Sequence, residues 1–268
     1  MLDLHAALMA LLAMVVFALL TWPVSVYKQD VSIVDSLWSL FFLCGLIAYV
    51  AAGGWRIGGE RACIVTTLLA LWGLRLCLYV TWRNHGEPED RRYQAIRARN
   101  QPGFAWKSVY LVFGLQAVLA WVIAMPLFAA LGGDAPINLL DVAGVALWIT
   151  GMLFESVGDW QLARFKADPA NRGRVLDSGL WRYTRHPNYF GEATIWWSFY
   201  LFAAAAGAWW TLFAPLVMTI MLLKVSGVAL LEKDIGERRP AYREYIARTS
   251  VFIPWPPKPS AGSKGGAR

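Results

Sequence analysis

The chain has 268 residues, of which 57% are apolar and 16% are charged, and its formal net charge is +7. A soluble domain usually carries about 25% charged residues, so this composition leaves too little polar surface for a globule in water. Cys44, Cys63 and Cys77 all lie in apolar runs without metal-ligand or redox spacing, and we predict no bound metal and no nucleic-acid partner.

Seven apolar runs are long enough to cross a bilayer as helices, which takes about 20 residues each. They cover approximately residues 4–27, 33–52, 62–82, 106–131, 139–165, 189–206 and 209–231. The runs lack the two-residue alternation of barrel strands, so helices are the way to satisfy their backbone in lipid. The first run lacks the basic flank of a signal peptide and is interpreted as a span. The sequence therefore predicts an all-α integral membrane bundle of about seven transmembrane helices.

The positions of Lys and Arg predict the orientation of these spans, because cytoplasmic loops carry the excess of basic residues. With the N-terminus outside, the inner side holds Lys28, the basic residues of 83–107 and 164–185, and those of the C-terminal tail. The outer side holds only Arg56 and Arg61. We therefore expect a multi-pass protein with its N-terminus outside and its C-terminus in the cytoplasm.

Six ionisable residues lie within or near the ends of the spans, where a charge costs about 2.5–3.5 kcal/mol or more. They are Asp35, Arg75, Glu155, Asp159, Glu192 and Lys224. Glu155 and Asp159 are four residues apart and share a helix face, as do Asn188 and Glu192. Any one of them could serve only as a polar contact between helices. Together they favour a polar cavity that opens to the cytoplasm.

The stretch between the fifth and sixth runs is dense in groups that recognise ligands. Arg182 and Arg185 could fork onto phosphates, and Pro187 could begin a helix whose N–H groups face an anion. Hydrogen-bonding and stacking groups complete the segment, namely Trp181, Tyr183, His186, Asn188 and Tyr189. The simpler alternative is a membrane-surface loop with an aromatic belt.

The segment Arg185-His-Pro-Asn-Tyr-Phe-Gly-Glu192, preceded by Gly179-Leu-Trp-Arg-Tyr183, resembles the signature of the steroid 5α-reductase family. Two further stretches resemble its bacterial members, Trp72-Gly-Leu-Arg75 with Glu89-Asp-Arg-Arg-Tyr93, and residues 232–245 with Phe252-Ile-Pro254. The resemblance implies NADPH-dependent reduction of the C=C bond of a 3-oxo-Δ4 steroid or a similar lipophilic enone. It also implies a bacterial inner-membrane protein whose apolar substrate enters from the bilayer.

The resemblance and the basic loops together give a predicted cofactor site. Its residues are Arg75, Arg83, Arg91, Glu155, Asp159, Lys166, Tyr183, Arg185, His186, Asn188, Tyr189, Glu192 and Lys224. Steroid-reducing members hold the substrate carbonyl with a Glu of the second span and a Tyr of the third. Here the second span offers Asp35, and the third has Trp72 near the expected Tyr and Tyr79 two turns along. We therefore predict Asp35, Tyr79 and Trp72 as catalytic residues.

In this reaction negative charge builds on the carbonyl oxygen, where a donor in a dry pocket lowers the barrier. Asp35 could donate only if burial kept it protonated, and Tyr79 is a second donor. The chain lacks a Gly-x-Gly-x-x-Gly motif after a strand, so a Rossmann site is not predicted. We expect one transmembrane reductase domain over 1–259, with its cofactor half at about 106–259, an amphipathic cytoplasmic helix over 232–248 and a disordered tail over 260–268.

Two other functions remain open from the sequence. A membrane methyltransferase using S-adenosylmethionine shares a related Arg-His-Pro stretch, but its cofactor has no phosphate and needs fewer arginines. A transporter or lipid-binding protein could use the same polar cavity. Transporters often carry internal repeats, and none is visible in this sequence.

Overall fold

A computed structural model describes residues 2–53, 59–132, 135–225, 227–233 and 235–259, with the side chain of Arg238 left out. Within these residues the chain is helical and contains no strand. The helices are α1 (Leu4–Lys28), α2 (Ile33–Ala52), α3 (Gly59–Asn84), α4 (Arg91–Arg99), α5 (Phe104–Ser108), α6 (Leu115–Ile123), α7 (Met125–Leu131), α8 (Leu139–Ala167), α9 (Pro187–Ala205), α10 (Phe213–Ile220), α11 (Val228–Glu232), α12 (Ile235–Arg238) and α13 (Ala241–Arg248). Arg56 and the predicted tail 260–268 lie outside the described residues.

Six helical stretches among the described residues are long and apolar enough to cross a membrane. They are Leu4–Lys28, Ile33–Ala52, Gly59–Asn84, Phe104–Ile123, Leu139–Ala167 and Trp209–Glu237. This confirms the predicted all-α membrane bundle. The predicted span 189–206 is helical as α9, but it is not among the six. The polar residues of its first turns, Asn188 and Glu192, and its Trp and Tyr residues lower its mean hydropathy.

Helix α1 has the side-chain distribution of a helix in lipid. Its buried residues are mostly small, for example Ala6, Ala10 and Ala18, whereas Leu8 and Leu12 are exposed. Small residues let neighbouring backbones approach closely where no water drives the helices together. Asp3 begins the helix by accepting a hydrogen bond from the Ala6 amide.

Two predicted spans and the C-terminal helix are interrupted. A π-helical turn, Val109–Gly114, joins α5 to α6, and a second one, Met221–Val225, follows α10. The helix predicted over 232–248 is instead the two short helices α12 and α13, with Pro240 at the N-cap of α13. Proline has no N–H to continue the hydrogen-bond ladder of a preceding helix.

The chain divides into two compact units, each described by itself below. The first comprises Met1–Gly144 and Phe199–Ala214, and the second comprises Val145–Ser198 and Pro215–Arg268. In the first unit α1 packs against α2, α2 packs against α3, and α6 packs against both α1 and α2.

Arg61 has a different environment from the one expected of an outer-loop residue. It is buried in the first turn of α3, where its Nε donates to Asp141 Oδ1 at 2.7 Å. Its other N–H groups donate to the carbonyl oxygens of Ala135 and Pro136 and to Asp141 Oδ2. Arg61 therefore holds the first unit together through a buried ion pair.

Candidate functional site

In the first unit, Asp35 lies at the start of α2 and is enclosed by donors from α4. Arg92 Nη2 donates to Asp35 Oδ2 at 2.7 Å, and the Tyr93 hydroxyl donates to Asp35 Oδ1 at 2.6 Å. Gln116 Nε2 lies 3.4 Å from the Tyr93 hydroxyl and donates to it. Asp90 caps α4 by accepting from the Arg92 amide at 2.8 Å and also accepts from Arg92 Nε.

This geometry bears on the role expected of Asp35. Both of its oxygens accept hydrogen bonds, one of them from a guanidinium and one from a phenol, so both oxygens are engaged within the protein. In these contacts Asp35 holds Arg92 and Tyr93 in place, and its role as a protonated donor to the substrate carbonyl stays a prediction.

The pKa values of Tyr93, Asp90 and Glu89, in and just before α4, are shifted by their surroundings. Burial, and then the charge of Asp35, raise the pKa of Tyr93 well above its ordinary value. Burial acts to raise the pKa of Asp90, but hydrogen bonds from Arg92 outweigh it and the pKa is lowered. The pKa of Glu89 is likewise lowered: burial opposes the shift, and hydrogen bonds from Arg97 and the Val31 amide prevail. The phenol of Tyr93 therefore stays protonated beside the carboxylates.

The third helix carries the other predicted catalytic residues. Trp72 is fully buried and packs edge-on against Phe42, with ring centroids 5.8 Å apart. Tyr79 is half-buried, and the guanidinium groups of Arg75 and Arg83 lie 5.2 and 5.9 Å from its ring centroid. The ring of Tyr79 therefore lies close to two cations.

In the second unit, α8 and α9 bring a buried polar cluster together. Glu155 and Asp159 follow each other by one turn of α8 and are 2% and 3% exposed. Asn188, in the first turn of α9, donates from Nδ2 to Asp159 Oδ1 at 3.2 Å. The two helices approach closely: a Cβ added at Gly191 would lie 2.5 Å from both Glu155 N and Gly151 O.

The segment before α9 is tied to the C-terminal part of the same unit by Arg185. Its Nε and Nη2 donate to the two oxygens of Glu232 at 2.7 and 2.9 Å. Its Nη1 donates to the carbonyl oxygens of Thr249 at 2.6 Å and Ile246 at 3.2 Å. His186 Nε2 lies 2.9 Å from Glu232 Oε1. Four of the five N–H groups of Arg185 thus bind within the chain, so its geometry favours a clamp over a direct phosphate ligand.

Other predicted residues of the second unit occupy several environments. The His186 and Tyr189 rings stack with centroids 5.6 Å apart and an interplanar angle of 9°. Trp181 Nε1 donates to Gly158 O at 3.0 Å, which fixes the loop on α8. Glu192 is half-buried in α9. The remaining predicted cofactor residues are exposed, namely Lys166, Tyr183 and Lys224 in the second unit and Arg83 and Arg91 in the first.

The sequence predicts that Glu155, Asp159 and Asn188 share one site, but it does not single out two residues that organise the units. Glu232 joins Arg185 to His186, and Tyr93 completes the enclosure of Asp35. Both lie in stretches singled out by resemblance, Glu89–Tyr93 and the segment beginning at Glu232. Their partners are 46 to 58 residues away along the chain, so local spacing does not identify them.

Comparisons with known proteins place these features in a family. The model of a family described as "Protein of unknown function (DUF1295)" matches residues 21–249. An uncharacterized protein of the fission yeast Schizosaccharomyces pombe is 29% identical over 262 residues, covering 87% of this chain and 75% of the yeast protein. No solved structure matches the chain.

Proposed function

Because the chain belongs to the DUF1295 family, we propose that it is a membrane reductase that uses NADPH. Its substrate would be a 3-oxo-Δ4 steroid or a similar lipophilic enone, whose C=C bond it reduces. The likeness of residues 179–192 to the steroid 5α-reductase signature supports this assignment, and the chemistry of the two units is compatible with it.

The observation that carries the proposal is the polar cluster of Glu155, Asp159 and Asn188 on two helices of the second unit. Carboxylates buried in a membrane helix are costly, and they typically mark a site for a substrate, ion or cofactor. Two carboxylates and one amide can accept from and donate to the ribose hydroxyls and the carboxamide of a nicotinamide nucleotide.

The rest of a dinucleotide also has suitable groups in the chain. In the second unit the exposed cation Lys166 suits its phosphates. The stacked pair of His186 and Tyr189 offers an aromatic plane. Arg185 contributes by holding residues 184–186 through Glu232, which positions Asn188 at the start of α9.

For the reaction itself, bound NADPH would supply a hydride to the β-carbon of the enone, and water or an acid would return a proton to the α-carbon. Tyr79 is the donor that we assign to the carbonyl oxygen, where negative charge builds. Arg75 and Arg83, both close to the Tyr79 ring, stabilise that charge electrostatically. Removing a donor of this kind typically raises the barrier by about 2.7–4 kcal/mol. Asp35 orients Tyr93 and Arg92 and does not touch the substrate in this scheme.

Cofactor binding separates this proposal from the methyltransferase alternative. We expect NADPH to raise the thermal stability of the purified protein in detergent, with little effect from S-adenosylmethionine, since a ligand at 100 times its Kd stabilises by about 2.7 kcal/mol. For Asp159→Asn, the NADPH concentration needed for the same stabilisation should be at least tenfold higher. The matched control, Asp168→Asn, removes an exposed carboxylate that caps a short turn and should respond as wild type. Stabilisation by S-adenosylmethionine alone would rule out the reductase.

A further inference from the structure

The segment after α13 exposes an apolar strip. Val251, Ile253 and Trp255 are 39%, 65% and 70% exposed, whereas Phe252 between them is buried. The Phe252 ring packs edge-on against Phe190 at a centroid distance of 5.9 Å. The segment therefore alternates, with one face on the protein and three large apolar side chains on the other face.

This strip is held in position by the chain itself. The Arg185 amide donates to Ser250 O at 2.9 Å, and Thr184 Oγ1 donates to Phe252 O at 2.7 Å. The Trp255 amide donates to Tyr183 O at 2.9 Å. Residues 250–255 are thus fixed along residues 183–185, and the outward direction of the apolar side chains is set by backbone contacts.

Residues before and after the strip line a basic pocket of about 400 Å³. Its lining includes three cationic side chains, Arg182, Arg248 and Lys258, and one carboxylate, Asp177. The Lys258 amide donates to Arg248 O at 2.9 Å, which folds the chain back so that both side chains line the same pocket. Arg248 pairs with Asp177, and the pocket retains an excess of positive charge.

We propose that the basic pocket and the apolar strip together bind one anionic phospholipid. The headgroup phosphate would bind the cations of the pocket, and Ile253 and Trp255 would contact the apolar part of the lipid at the membrane interface. Aromatic residues favour that interface, and each Lys or Arg near an anionic surface contributes to binding. The strip favours a lipid over a free phosphate or a nucleotide, neither of which has an apolar chain to cover it.

This proposal goes beyond the reductase function and does not depend on it. The test uses the full chain, stripped of lipid in detergent and studied by native mass spectrometry with phosphatidylglycerol or phosphatidylcholine. We expect a clear preference for phosphatidylglycerol. Arg182→Gln and Lys258→Gln should each weaken its binding roughly fivefold. Asp177→Asn should strengthen it, because it removes the negative charge that neutralises Arg248.

Two further variants separate a specific site from general charge. Arg172→Gln is the matched control, since Arg172 is exposed and is not part of the pocket lining; it should bind phosphatidylglycerol as wild type does. Trp255→Ala should weaken phosphatidylglycerol binding without a change of charge. Equal binding of the two lipids, equal effects of Arg172→Gln and Arg182→Gln, or full displacement of the lipid by equimolar inorganic phosphate or NADPH would each overturn the proposal.

Discussion

At the scale of single residues, two carboxylates have similar surroundings in separate units. Asp35 accepts from Arg92 and Tyr93, and Glu232 accepts from Arg185 and contacts His186. Each joins a cation to a neighbouring residue that can donate a hydrogen bond. Loss of Glu232 would remove the carboxylate partner of Arg185, whereas loss of Asp35 would leave Arg92 paired with Asp90. Breaking a buried ion pair by removing one partner is strongly destabilising.

Glu232→Gln tests the clamp on Arg185. The side chains of Arg185 and Glu232 are 9% and 15% exposed, so a neutral partner leaves a mostly buried guanidinium uncompensated. We expect the free energy of unfolding to fall by about 3–5 kcal/mol, measured by thermal or denaturant unfolding in detergent. Glu237→Gln, on the exposed part of α12, is the matched control. Equal stability of the two variants would show that the clamp contributes nothing.

Glu89 gives a prediction about pH. Its folded-state pKa lies below its ordinary value of 4.5, so its stabilising effect is complete above about pH 4.5 and is lost as the pH falls through the folded-state pKa. Wild type should therefore be more stable than Glu89→Gln at neutral pH. The difference should vanish in acid when melting temperatures are followed against pH. A difference that grows on acidification would contradict the assigned sign.

The sequence predicts local pairs better than distant ones, and particular residues show why. Glu155 and Asp159 share a face because they are four apart, and that spacing is visible in the sequence. The partner of Arg185 lies 47 residues away along the chain, so the sequence of the arginine-rich loop does not show that Arg185 binds Glu232. The partner of Arg61, Asp141, lies 80 residues away along the chain, so the burial of Arg61 in an ion pair is not visible in its local sequence.

At the scale of elements, the crossing of α8 and α9 determines where the buried cluster lies. Gly151 and Gly191 let the two backbones approach, and this approach places Asn188 beside Asp159. The interruptions elsewhere were not predictable from hydropathy. The π-helical turns lie inside continuous apolar runs. A π-helical turn inserts an extra residue into an α-helix, and this insertion does not change the mean hydropathy of an apolar run. Pro240 was visible, however, and could have predicted the end of α12.

Gly191→Ala tests the crossing. The new Cβ would meet backbone atoms, Glu155 N and Gly151 O, which cannot move as a flexible side chain can. We expect a loss of about 1–3 kcal/mol or more in unfolding free energy and weaker NADPH binding. Gly236→Ala is the control, because its Cβ would meet the flexible Arg243 side chain at 3.3 Å; it should be neutral or slightly stabilising. Wild-type stability of Gly191→Ala would exclude a tight crossing.

At the scale of the whole molecule, six stretches of the described residues are apolar enough to span a membrane. The number of spans therefore depends on whether α9 also crosses. Its 19 residues extend about 28 Å as a helix, close to the thickness of about 30 Å of a bilayer core. If α9 crosses, the count is seven and the termini lie on opposite sides. If it does not, six spans place both termini on the same side.

Reporter fusions at each terminus distinguish these topologies. We expect green fluorescent protein to fluoresce at the C-terminus, because the basic loops favour a cytoplasmic location, and not at the N-terminus. Alkaline phosphatase, which is active only outside the cytoplasm, serves as the control at the same positions and should give the opposite result. Fluorescence at both termini would indicate an even number of spans and contradict the predicted orientation.

The most direct measurement for the proposed activity is deuteride transfer. Purified protein would receive NADPH carrying deuterium at the transferable position, together with a 3-oxo-Δ4 steroid, and the product would be analysed by mass spectrometry. The proposal predicts one deuterium at the β-carbon, with a rate reduced roughly 100- to 1,000-fold in Tyr79→Phe and unchanged in Tyr110→Phe, where the hydroxyl is removed from an exposed tyrosine. A saturated product without deuterium, or no reduction of any lipophilic enone, would contradict it.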